Sequence, residues 1–349
     1  MAGPRFKVVK STRSNRVALS LAGMIVLAFA SIPLWAKAGT QRTLTTYLTL
    51  LAMAQMWNLL AGYGGLLSVG QQAYIGLGAY GLWVFADGLG VNPFVAVLLA
   101  GIAAAVIALP TSILAFRLRG GYFAIGTWVI AEAYRLIVTN VKWVGGGSGT
   151  TVTAASHVKM ATRVPATYLL ALGLAVGSVL LVFFLLRSRL GLALTAIRDN
   201  ETGAESLGVD VSRAKRYVYL ISAFGCGLAG AVTYLNLLRI QPNAAFSVQW
   251  TALMIFVVVI GGVGTIEGPI IGTVVFLVMQ ELLSDYGSWY LILLGLVAMV
   301  ITIWNPRGLW GLVTRRRSLH LFPLRRQLRA ADVDGAEAPP RAESAGSAD

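Results

Sequence analysis

Between Val17 and Trp35 the chain runs without a charged side chain, and blocks of the same kind recur almost to its end. About 20 apolar residues in a helix cross the ~30 Å hydrocarbon core of a bilayer, so these blocks make the chain an integral membrane protein. Ten are read: 17–35, 44–61, 72–85, 94–116, 122–139, 167–186, 217–238, 248–260, 270–283 and 289–304. The expected fold is all-α, with about ten transmembrane or broken helices. Only 12% of the 349 residues are charged and the mean hydropathy is +0.73, which fits membrane helices better than two soluble domains of the same length.

The first block could be an anchor or a signal peptide, since Ala36, Lys37 and Ala38 form an A-x-A pattern. Its apolar run exceeds the ~7–15 residues of a signal core, so a retained helix is expected. Three regions follow: a basic arm at 1–16, a transmembrane domain at 17–312, and a basic and then disordered tail at 313–349 rich in Ala, Asp, Glu and Pro. With the N-terminus in the cytoplasm, parity puts the arm, Arg117 and Arg119, the 187–216 segment and the tail on the inner face. That face then holds 21 of the 28 Lys and Arg, a strong positive-inside bias that sets both termini in the cytoplasm. The net charge of +14 therefore speaks of orientation, and nucleic acid is not an expected partner.

Residues 187–216 form a polar island between apolar blocks, with six basic and four acidic side chains. Asp199 and Asn200 suit a helix N-cap, Ala204 and Leu207 share a helical face, and Gly208 suits a left-handed stop. A short amphipathic helix is expected here. A passive solvated connector needs neither the helix signals nor the length, so the island is read as a docking element for a soluble partner that drives the membrane part.

Two joints rich in glycine, 62–81 and 261–272, each follow an apolar block and precede a short one. Interrupted segments at corresponding places in two halves point to broken, re-entrant-like helices beside a transport path. Close helix packing is the competing account, since Gly264, Gly268 and Gly272 sit four apart, and both accounts can hold. Buried polar side chains are functional candidates by default. The pathway candidates are Gln55, Asn58, Gly65, Ser68, Gly70, Gln71 and Gln72 in the first half, and Gly261, Gly262, Gly264 and Glu267 in the second. Glu267 lies near the inner surface, where simple hydration would also account for it. Glu132 and Arg135 stand one turn apart and read as a self-neutralising pair. A third glycine run, 145–149, begins a loop expected to reach Pro165 and to cover the outer mouth.

The chemistry of catalysis is not assembled. One cysteine, Cys226, and two separated histidines, His157 and His320, support neither a metal site nor a nucleophile, so no catalytic, cofactor or metal residue is assigned. The G-x-G-x-x-G at Gly76, Gly78 and Gly81 has no preceding strand and reads as helix packing. No G-x-x-x-x-G-K-[ST] occurs, so any ATP that drives the chain is bound by another subunit.

Five stretches together carry a family resemblance: NLLAGYGGLLSVGQQAYIGLGAY at 58–80, RGGYFAIGTWVIAE at 119–132, RDNETGAESLGVDVSRAKRYVYLISAFGCGLAGA at 198–231, 261–283, and NPRGLWGL at 305–312. In this order they resemble the LivM/LivH permeases, the membrane subunits of ABC importers for branched-chain amino acids, and more closely the LivM branch. The resemblance implies an ABC importer permease fold in a cytoplasmic (inner) membrane. It also implies a second homologous permease subunit, two ATP-binding cassette subunits, an extracytoplasmic substrate-binding protein and an amino acid substrate. The ATPase-coupling role falls on Arg198, Asp199, Glu201, Glu205, Leu207 and Gly208. Gln71 stands where the family usually has His in G-x-L-S-L-G-H, and the GGGSGTTV run departs from the usual T-G-G-x-x-G-L. Related permeases carry urea, short amides or aromatic acids, which are the alternative substrates. An ion-coupled carrier acting alone is the rival mechanism, and the scarcity of intramembrane charge weighs against it.

Overall fold

A computed structural model describes residues 6–9, 13–283, 289–305, 308–316 and 327–330. In chain order the elements are β1 (Phe6–Val9), α1 (Arg13–Trp35), α2 (Ala38–Asn58), α3 (Gln72–Trp83), α4 (Pro93–Ala115), α5 (Gly121–Asn140), β2 (Thr150–Thr151), α6 (Thr153–Ser156), α7 (Met160–Arg187), α8 (Arg189–Asp199), α9 (Glu201–Ser206), α10 (Val211–Leu237), β3 (Arg239–Ile240), α11 (Pro242–Ala245), α12 (Val248–Gly261), α13 (Glu267–Leu283), α14 (Trp289–Trp304), α15 (Gly308–Arg316) and β4 (Gln327–Ala330). Wider π-turns at Leu59–Tyr63 and Val84–Gly88 extend α2 and α3.

Every apolar block lies on one helix or its end, but the helices are unequal. Among the described residues four stretches are long and apolar enough to cross a membrane: Pro93–Ala115, Met160–Arg187, Val211–Leu237 and Pro242–Gly261. At 1.5 Å per residue the 12 residues of α3 cover only about 18 Å, less than the hydrocarbon core.

The centre of the bundle is α10. Its apolar window is 78% buried, against 28–44% for the other three, and it packs on α2, α3, α4 and α7. Small residues make this possible. A Cβ on Gly227 would stand 2.6 Å from that of Ala104, and one on Gly230 would stand 2.2 Å from the Ile75 carbonyl oxygen. On α4 the pattern of a soluble helix is inverted: Ala96, Ala100, Ala104 and Ala108 are buried, whereas Val95, Leu98, Ile102, Val106, Leu109 and Ile113 form an exposed stripe. Lipid tails solvate large apolar side chains as well as a core does, so the small residues go to the helix contacts.

Three expectations change. The 145–165 loop is shorter than expected, because α7 begins at Met160 and contains Pro165, and Thr150 and Thr151 pair antiparallel with Ile240 and Arg239. The tail carries a strand, since Gln327–Ala330 pairs antiparallel with Phe6–Val9, while the rest of the stretch expected to be disordered lies outside the described residues. Finally, Gly264 falls in the turn before α13 with φ +72°, so the four-residue spacing acts only through Gly268 and Gly272. A Cβ on Gly272 would stand 1.8 Å from the Val257 carbonyl oxygen of α12.

Candidate functional site: the island and the two glycine joints

The island folds into two helices rather than one. α8 is the addition, and it turns Leu194 and Ile197 inward. Ile197, Ala204, Val211 and Ala214 then make a small core of the island's own, sealed by Leu190, Ala196 and Val209. Asn200 provides the N-cap of α9, its Oδ1 accepting from the Gly203 N–H at 2.9 Å, while Asp199 ends α8 instead. Gly208 stops α9 at φ +84°. Lys215 Nζ meets Glu201 Oε2 at 2.7 Å, and Asp210 caps α10 by accepting from the Arg213 N–H. Ala204 is buried but Leu207, one residue beyond α9, is 83% exposed, so the two do not share a buried face. All six coupling candidates, Arg198, Asp199, Glu201, Glu205, Leu207 and Gly208, lie at the surface. Leu192 on α8 is 73% exposed and, like Leu207, leaves an apolar side chain at the surface of the island. Its signal was readable in the sequence as the one leucine out of phase with Leu190, Leu194 and Ile197.

The first joint runs inward from the end of α2. Its backbone at 64–71 leaves the helix, with Gly65 exposed at φ +66°, and is then held from four sides. Trp57 Nε1 of α2 donates to the Ser68 carbonyl at 2.9 Å. The Val69 N–H donates to Thr127 Oγ1 of α5, and Gly70 lies so close to that helix that a Cβ would stand 2.2 Å from the Thr127 carbonyl oxygen. Ser222 Oγ of α10 donates to Gln71 Oε1 at 3.4 Å. The Gln72 N–H and Oε1 both bond the Thr251 hydroxyl of α12. Ser68, Gln71 and Gln72 are buried as a result.

The second joint closes on the end of α2. Asn58 Oδ1 accepts from the Gly264 N–H and Asn58 Nδ2 donates to the Thr265 carbonyl, both at 2.8 Å. Gln55 Nε2 donates to the Ile266 carbonyl at 2.8 Å. Gly261 and Gly262 are close contacts: added Cβ atoms would meet the Gly268 carbonyl oxygen from Gly261, and the Gly262 backbone from Gly308. Glu267 opens α13 and is 9% exposed, a buried side chain rather than the simply hydrated one of the alternative account. The structure thus brings Gln55, Asn58, Gly262, Gly264 and Glu267 together beside the island, with Arg198 of α8 against Gly264. Ser68, Gly70, Gln71 and Gln72 form a second group along α5, α10 and α12, while Gly65 stands apart at the surface.

At the end of α10 opposite the island lies a cleft of about 420 Å³, lined by Tyr234, Arg239, Gln241, Gln249, Trp250 and Leu253 among others. None of the pathway candidates lines it. The G-x-G-x-x-G glycines are packing contacts as expected: Gly78 meets the Gly227 carbonyl, Gly76 the Phe246 ring and Gly81 the Ala100 methyl. Glu132 and Arg135 do pair, with Arg135 Nε 2.9 Å from both carboxylate oxygens, and Arg135 Nη1 reaches Asn243 Oδ1 at 2.6 Å. Cys226 is buried and free, and among the described residues no metal-ligating cluster occurs.

A family model described as the permease component of branched-chain amino acid transport systems matches residues 39–303. The high-affinity branched-chain amino acid transport system permease protein LivM of Escherichia coli K12 is 28% identical over 336 residues, covering 88% of this chain and 79% of that protein. A probable branched-chain amino acid transport permease LivM of Methanocaldococcus jannaschii is 25% identical over 211 residues, covering 55% of this chain and 61% of that one. A fructose import permease, FruG of Bifidobacterium longum, is 28% identical over 141 residues, covering 38% and 42%.

Proposed function

Because this chain belongs to the family of branched-chain amino acid transport permease components, a family of multi-pass membrane proteins, we propose that it is one of two permease subunits of an ABC importer for branched-chain amino acids. The observation that carries this reading is the family match over residues 39–303, which takes in the island and both joints. Two ATPase subunits bind the cytoplasmic face and hydrolyse ATP. An extracytoplasmic binding protein delivers the amino acid to the opposite face of the inner membrane.

The island is the ATPase dock. Its own small core supports this, since a lever must be stiff to transmit a push, and so do Leu192 and Leu207, which are exposed without an intramolecular reason. The two glycine joints are the broken segments that border the path. What supports this is non-helical backbone at 64–71 and 262–266 with the buried polar side chains Ser68, Gln71 and Glu267 in or beside it, tolerated at membrane depth only where protein or water satisfies it. The cleft opposite the island suits the arriving substrate: the Arg239 guanidinium matches a carboxylate, and Trp250 and Leu253 match a branched aliphatic side chain.

The test is reconstitution of this chain with its partner permease and ATPases in liposomes, with the binding protein and radiolabelled leucine outside. Leucine should accumulate only when ATP is inside. Uptake by this chain alone, driven by an ion gradient and indifferent to ATP, would replace the reading with a carrier.

A further inference from the structure

The end of α2 and the connection between α12 and α13 are separated by 206 to 211 positions in the chain, yet three hydrogen bonds tie them at consecutive backbone groups. The connection cannot satisfy itself. Gly262 at φ +133° and Gly264 at φ +72° break the helical ladder, and backbone groups left over at a buried site need partners from elsewhere. Asn58 and Gln55 supply them to Gly264, Thr265 and Ile266, and both side chains are fully buried. Inside the connection, Thr265 Oγ1 donates to the Gly262 carbonyl and accepts from the Gly268 N–H, which keeps the turn itself rigid.

The island reaches the same turn. Arg198, next to last in α8, places Nη1 3.4 Å from where a Gly264 Cβ would stand, and the Tyr63 phenol lies within electrostatic reach of Arg198 and Glu267. The island therefore reaches the same turn that the end of α2 grips. An apolar contact would let the turn slide. Two amides with fixed donor and acceptor directions set its register, so the turn and the end of α2 must move as one body.

The geometry points to a polar latch: Asn58 and Gln55 are positioning residues that clamp the 262–266 turn to the end of α2, so that movement of the island, delivered at Arg198, is passed to both halves of the bundle together. This rests on the reading of the island as the ATPase dock. The latch makes a demand that mere packing does not, because loosening it should break the link between hydrolysis and transport before it breaks the fold.

The experiment uses the complete importer in liposomes and reads leucine imported per ATP hydrolysed. ATP-driven import by the wild-type complex establishes the premise, and its absence would count against the importer reading rather than the latch. Gln55→Met keeps the volume and removes the bond to Ile266, while Asn58→Leu removes both bonds to the turn. With complexes isolated in wild-type yield, leucine per ATP should fall about fivefold or more in either variant, within the range of coupling changes that single substitutions produce. A ratio equal to wild type in both, whether the separate rates hold or fall together, overturns the latch. Should Asn58→Leu fail to assemble, Gln55→Met decides the matter alone, since it leaves the Asn58 bonds in place.

Discussion

The residues that admit least change are the glycines where two helices meet backbone to backbone. A Cβ on Gly78 would stand 2.0 Å from the Gly227 carbonyl oxygen, whereas Gly173 and Gly177 on the exposed side of α7 meet nothing within 4 Å. Gly78→Ala must push α3 away from α10, and overpacking of this kind costs about 1–3 kcal/mol. Gly173→Ala meets no such obstacle and gains up to about 1 kcal/mol of helix propensity. Thermal unfolding in detergent should therefore show a midpoint several degrees lower for Gly78→Ala and an equal or higher one for Gly173→Ala. A common response from the two would mean that close approach at Gly78 does not limit stability. The Tyr74 and Tyr219 hydroxyls, hydrogen-bonded at 2.7 Å across the same α3 and α10 contact, show how completely this seam is filled.

Among the elements, the island shows both the reach and the boundary of sequence reading. Its charge, the Asn200 cap and the Gly208 stop were legible because capping and left-handed backbone are local chemistry, set by a few neighbouring side chains. The inward or outward facing of Leu207 was not, because periodicity assigns a face only while the helix continues, and α9 ends at Ser206. The tie from Asn58 to Gly264 was equally invisible: polar residues in an apolar block announce that a partner exists, but no spacing rule names one at a separation of 206. With Leu207 83% exposed, Leu207→Asp removes no internal packing, and surface changes of this kind stay within about ±0.5 kcal/mol. The variant should unfold at the wild-type temperature yet retain less than about a tenth of the ATPase subunits on affinity purification of the permease, the loss expected when a charge replaces an apolar anchor. Wild-type recovery of those subunits from Leu207→Asp would remove the exposed leucine from the docking surface.

For the molecule as a whole, one arrangement links the charge pattern, the central helix, the island and the cleft. α10 leaves the island at Val211 and ends at Leu237 beside the cleft, so its 27 residues, about 40 Å at 1.5 Å per residue, separate the island from the cleft by enough to span a bilayer, as the proposed division into dock and delivery site requires. The distribution of Lys and Arg predicts a direction for that axis, because the segments that parity groups with the island carry 21 of the 28. The orientation can be measured with little preparation, since the one native thiol, Cys226, is buried and should stay silent. Glu205→Cys on the island and His157→Cys near the opposite end both replace exposed side chains. In right-side-out membrane vesicles a membrane-impermeant maleimide should label His157→Cys at once, and Glu205→Cys only after the bilayer is opened. The reverse order would put the island outside the cell, beyond the reach of any cytosolic ATPase. The exposed leucines, the latch and the positive-inside bias would then all need another cause.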